Sequence, residues 1–132
     1  MGMRRKSREL ALQFLYSHDF QERPNDAEAL QGELEEFCQC FEAKSKALPY
    51  AEALISGICY QRESIDKSLS RCSHNWRMER MALVDRNILR IAAYEMQHVE
   101  DVPVTVAINE ALEIAKRYAE PDSIGFINGI LD

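Results

Sequence analysis

Apolar residues return at three- and four-residue steps along nearly the whole chain, and that period confines it to helices. Leu10, Ala11, Phe14 and Leu15 mark a first helix from Arg4 to about His18. Arg23, Pro24, Asn25 and Asp26 break it with good capping chemistry, after which Ala27, Leu30, Leu34, Phe37 and Phe41 carry a second. Pro49 suits a first helical position, and Ala51, Leu54, Ile55, Ile58, Ile65 and Leu69 predict a longer third helix running to about Ser70. The weakly periodic stretch from Arg71 to Met81 predicts a turn and a short helix, with Trp76 as a core anchor at the junction of two halves. Val84, Ile88, Ile91, Ala92 and Met96 then form a helix ending near His98, stopped by Asp101, Val102 and Pro103. Ile108, Ala111, Leu112, Ala115 and Tyr118 make the next stripe. Glu120, Pro121, Asp122 and Ser123 supply a stop and an N-cap for a last short helix through Phe126, Ile127, Ile130 and Leu131. The nearest thing to a strand, Val102 to Val106, contains a proline and flows into a helical stripe. The expectation is an all-α protein: a compact bundle of about six to seven helices in two sub-bundles, about residues 1–70 and 71–132, within one domain.

A length of 132 residues can bury a core without disulfides or metals. Cys38, Cys40, Cys59 and Cys72 lack the spacing of a zinc site, and the chain lacks the loop-rich character of a disulfide scaffold. Reduced thiols, no metal and no cofactor are expected. Glu95 and His98 form one Glu-x-x-His, but a di-iron bundle needs a second copy. No apolar run approaches a membrane span and no signal-peptide core opens the chain, so a cytoplasmic protein is expected. No phosphate-binding loop, nucleophile elbow or nucleophile with an identifiable histidine partner is present, so no catalytic residues are assigned.

The net charge of −6 argues against a surface coated for non-specific nucleic-acid binding, but its distribution is uneven. Arg4, Arg5, Lys6 and Arg8 precede any acid. From Asp19 to Glu42, eight acids face the single Arg23. A basic end beside an acidic belt suggests local, oriented contact with a polyanion. Equally, such an end can be a solvated terminus that aids solubility.

Two stretches carry a resemblance. The opening reads RRKSRELALQFLY from Arg4 to Tyr16, and the block from Leu83 to Asp132 holds D-R-x-I-L-R, V-P, A-I-N-E-A, A-K and F-I-N-G-I-L-D in order. On these motifs the chain resembles the NusB family of transcription antitermination factors. The resemblance implies a two-part helical fold and a boxA-like RNA ligand. It also implies NusE, a small-subunit ribosomal protein, as partner, and RNA polymerase with other Nus factors as the assembly that supports ribosomal RNA transcription. It makes Arg4, Arg5, Lys6 and Arg8 RNA contacts, with guanidinium forks on phosphate oxygens at a helix start. Phe126 and Asn128 become RNA contacts too, a ring to stack a base and an amide to read its edge, against the alternative of a core aromatic and a turn cap. Gly125 departs from the family, many members of which carry a basic residue just before this Phe. Tyr16 and Asp85 are implied as contacts to NusE, with Asp85 read as an exposed acid at a helix start. Arg86, Arg90, Asn109 and Glu110 are read as ion pairs and caps that fix the C-terminal half. Two rival functions are a protein-binding helical scaffold working through its acidic belt, and an accessory domain of an RNA methyltransferase.

Overall fold

The structure, a computed structural model, describes residues 2–22, 26–39, 46–72 and 81–131. Within them lie seven helices and no strand: α1 (Gly2–Phe20), α2 (Ala27–Gln39), α3 (Leu48–Tyr60), α4 (Arg62–Cys72), α5 (Leu83–His98), α6 (Val104–Tyr118) and α7 (Pro121–Leu131). Trp76, with the turn and short helix expected around it, lies outside the described residues. The chain divides into two compact units, Met1–Tyr60 and Gln61–Asp132.

That division falls ten residues before the expected one, because the single third helix is two. The stripe Leu54, Ile55, Ile58, Ile65 and Leu69 is buried throughout, as its spacing requires, but its partners change. Before Gln61 the stripe packs on α1 and α2; after it, on α5 and α7. The Gln61 carbonyl accepts the Ile65 amide at 2.9 Å and starts α4 afresh. No glycine or proline marks the break.

In the first unit, α1 and α2 both pack on α3. Leu10, Phe14 and Leu15 of α1 are buried, as are Leu54, Ile55 and Ile58 of α3. Asp26 caps α2 as expected, its Oδ1 accepting the Ala29 amide at 2.9 Å. α2 is also tied to α1 by a polar contact: His18, fully buried and stacked on Phe14, meets Glu33 Oε1 through Nδ1 at 2.7 Å. Near the end of α2 the Cys38 thiol donates to Glu52 Oε1 at 3.2 Å. Burial first, then this hydrogen bond and the carboxylate's charge, push the thiol pKa up to about 11.

In the second unit α5 is central, packing on α4, α6 and α7. Its buried face holds Ile88, Leu89, Ile91 and Ala92, together with Asn87, Arg90 and Glu95. These polar groups are matched. Arg90 grips Asp66 of α4 with a two-pronged fork, Nε to Oδ1 at 2.9 Å and Nη2 to Oδ2 at 3.0 Å. Its Nη1 donates to Asn87 Oδ1 at 3.1 Å, and Asn87 Nδ2 donates to the Leu83 carbonyl at 2.9 Å. The half-buried Arg86 donates to the Met81 carbonyl at 3.2 Å. Pro103 precedes α6 and Pro121 opens α7, where their missing N–H groups cost nothing.

Candidate nucleic-acid and partner interface

The start of α1 separates its charges by burial. Arg8 stands four and seven residues before Leu12 and Leu15, on the buried side, and is only 4% exposed. Ser7 is fully buried, its hydroxyl donating to the Ala47 carbonyl at 2.7 Å, with the Met3 carbonyl a second acceptor 3.0 Å away. Arg5 and Lys6, turned off that face, are exposed, and Arg4, one turn before Arg8 on the same face, is half-buried with its Cζ 4.3 Å from the centroid of the Tyr50 ring. Of the four cations expected to contact RNA, Arg8 is thus the most buried.

Further along α1, Tyr16 is 40% exposed and its ring stacks on that of Phe20, 68% exposed, at 6.1 Å and 11°. Rings four residues apart share a helix face, so the pair forms one apolar patch. Tyr16 lies about 16 Å along the axis from Arg5 at 1.5 Å per residue. Phe20 stands outside the opening motif and has no role assigned from sequence, although its spacing from Tyr16 points to it.

The α7 residues divide likewise. Ile127, Ile130 and Leu131 are buried; Phe126 is half-buried, and Asn128 is exposed. At 100° per residue Phe126 and Asn128 flank the buried stripe on opposite sides, so they do not form one contact. Ser123, the last of the four residues expected to supply a stop and an N-cap, is the third residue of the helix, and its amide donates to the Glu120 carbonyl at 2.9 Å. Its hydroxyl instead donates to Asp85 Oδ2 at 2.7 Å. Asp85 is 8% exposed, which corrects its reading as an exposed acid. It sits in the first turn of α5 but faces α7, binding Ser123 one turn before Phe126.

Among the described residues no group of three or more His, Cys, Asp or Glu is placed to hold a metal ion; Cys40 and His74 lie outside them. No described helix is long and apolar enough to cross a membrane.

The NusB family model matches residues 5–132. The chain belongs to the NusB family. It is 44% identical over its whole length to the transcription antitermination protein NusB of Desulfotalea psychrophila, covering 94% of that protein. Among solved structures, T. maritima NusB superposes with a TM-score of 0.84 at 36% identity, over 98% of this chain and 87% of that one. A chain from the crystal structure of antitermination factors NusB and NusE in complex with dsRNA shares the fold, with a TM-score of 0.79 at 24% identity over 99% and 94%. The opening motif thus occupies the start of α1, and the D-R-N-I-L-R element the largely buried start of α5.

Proposed function

We propose that the chain is a transcription antitermination factor that holds boxA-like single-stranded RNA together with NusE, acting in the cytoplasm by binding and not by catalysis. One observation carries this reading: of the basic cluster that opens α1, Arg5 and Lys6 are exposed and Arg4 is half-buried, while Arg8 is buried. Arg4, Arg5 and Lys6 stand in the first two turns of the helix. They meet unpaired N–H groups and the positive dipole end of a helix, a combination suited to phosphate. The name borne by its relatives, transcription antitermination protein, supports the same class.

In this reading the stacked Tyr16 and Phe20 rings are contact area for NusE, since exposed aromatic pairs are typical anchors of protein interfaces. The half-buried Phe126 offers a ring to a base, and Asn128 a separate polar contact. Asp85 supports α7 through Ser123. RNA polymerase and the other Nus factors complete the assembly that supports ribosomal RNA transcription.

Titration of labelled single-stranded boxA RNA, of a scrambled strand and of a duplex, with and without NusE, tests the proposal. The pair should bind boxA more tightly than the chain alone and more tightly than either control. A second reading, a protein scaffold, draws on the exposed Glu28, Glu35 and Glu36 of α2. Firm NusE binding with no effect of RNA would favour it.

A further inference from the structure

The contact between Arg4 and Tyr50 joins residues far apart in sequence. It brings α3 to the start of α1, and Ser7, one turn on, ties the chain just before α3 to the same place through the Ala47 carbonyl. Tyr50 is half-buried on α3, so the ring that carries Arg4 is held by the packing of the first unit. A long arginine side chain loses rotamer freedom whenever it grips a phosphate. A guanidinium already seated on an aromatic face has given up part of that freedom.

We infer that Tyr50 is a positioning residue of the RNA interface, pre-orienting Arg4 for a phosphate and extending the interface from α1 onto α3. This rests on the reading of the α1 start as an RNA surface. Tyr50 acts through Arg4 and through its ring alone. Its effect must therefore vanish when Arg4 is gone and survive loss of the hydroxyl.

The test uses the full chain paired with NusE and fluorescein-labelled single-stranded boxA RNA at several salt concentrations. Tyr50→Leu should weaken binding about two- to fivefold, the scale of an exposed cation–π contact. It should also move the salt slope towards that of Arg4→Ala, which falls by about 0.7 when one phosphate of a single strand is no longer neutralised. Tyr50→Phe should bind as the native chain does, and Tyr50→Leu should add nothing in the Arg4→Ala background. Tyr50→Met, which fills the space without a π face, repeats the comparison should leucine disturb the packing. A purely structural ring would lower the melting temperature and leave the salt slope alone. The inference is overturned if folded Tyr50→Leu and Tyr50→Met keep native affinity and slope, or if they weaken binding equally without Arg4. Removal of Arg4, Arg5 and Lys6 together without effect on RNA would overturn the RNA surface itself, and this inference with it. A failure at Tyr50 alone leaves that surface standing.

Discussion

Helices α1 and α5 both open on charge-rich motifs, R-R-K-S-R and D-R-N-x-x-R, yet the two motifs do opposite work. In α1 Arg5 and Lys6 are exposed and Arg4 is half-buried on the Tyr50 ring, while Ser7 and Arg8 are buried. In α5 the core begins at once, so Asp85, Asn87 and Arg90 are buried and must be answered by Ser123, Leu83 and Asp66. Charge in a motif does not by itself mark a binding surface. The helix face on which it stands, buried or exposed, decides.

The comparison breaks first at Arg90 if it is wrong. Removing one member of a largely buried ion pair costs about 3 to 5 kcal/mol. Asp66 keeps a side-chain exposure of 28%, which places Arg90→Ala at the lower end. Urea unfolding should therefore show a loss of about 3 kcal/mol. A native-like midpoint would mean that the buried motif of α5 is not structural.

Ser7→Ala comes next. It removes the short hydrogen bond to the Ala47 carbonyl, which keeps the Ala51 amide at 3.1 Å, a loss of about 0.5 to 1.5 kcal/mol by the same measurement. Its exposed neighbour Lys6→Ala should fall within about 0.5 kcal/mol of native. Equal effects at Ser7 and Lys6 would erase the boundary drawn between them. At Asp85 the contrast is finer. Asp85→Ala should cost about 1 to 2 kcal/mol by stranding the Ser123 hydroxyl, and Asp85→Asn, which can still accept, less. Unfolding curves in which alanine and asparagine are equivalent would show that the Ser123 bond does not stabilise α7.

The smallest effect concerns Cys38. Its thiol titrates near 11 in the folded chain against the ordinary 9.0, so the fold favours the protonated form. The associated stability is fully present below 9.0 and is lost as the pH rises through about 11. Alkylation of Cys38 by iodoacetamide should stay slow at neutral pH and accelerate only towards that value. Rapid labelling at neutral pH would show that Glu52 does not hold the thiol.

Most of the helices were legible because their stripes end where proline, aspartate or a polar cluster stops them, as at Asp26, Pro103 and Pro121. The break at Gln61 was not, because Ile58 and Ile65 keep one helical phase while their packing partners change. Sequence shows that a residue is apolar, not which helix it meets. The same limit governed the candidate interface. Arg5, Lys6 and Tyr16 are exposed as expected, but the burial of Arg8 and Asp85 depends on neighbours that no local pattern names. Tyr50 carried no signal either, since its role comes only from the packing of α3 on α1.

The central claim is that the outward cations of α1, and not the buried one, hold RNA. It is tested most directly by the salt dependence of boxA RNA affinity for the NusE pair, native against a chain with Arg4, Arg5 and Lys6 all changed to alanine. With two or three phosphates no longer neutralised, the slope of log K against log salt should fall by roughly 1.4 to 2.1, at about 0.7 for each phosphate. Stability and NusE binding should hold. An unchanged slope and affinity in the folded triple variant would contradict the claim and leave the basic end of α1 a solvated terminus.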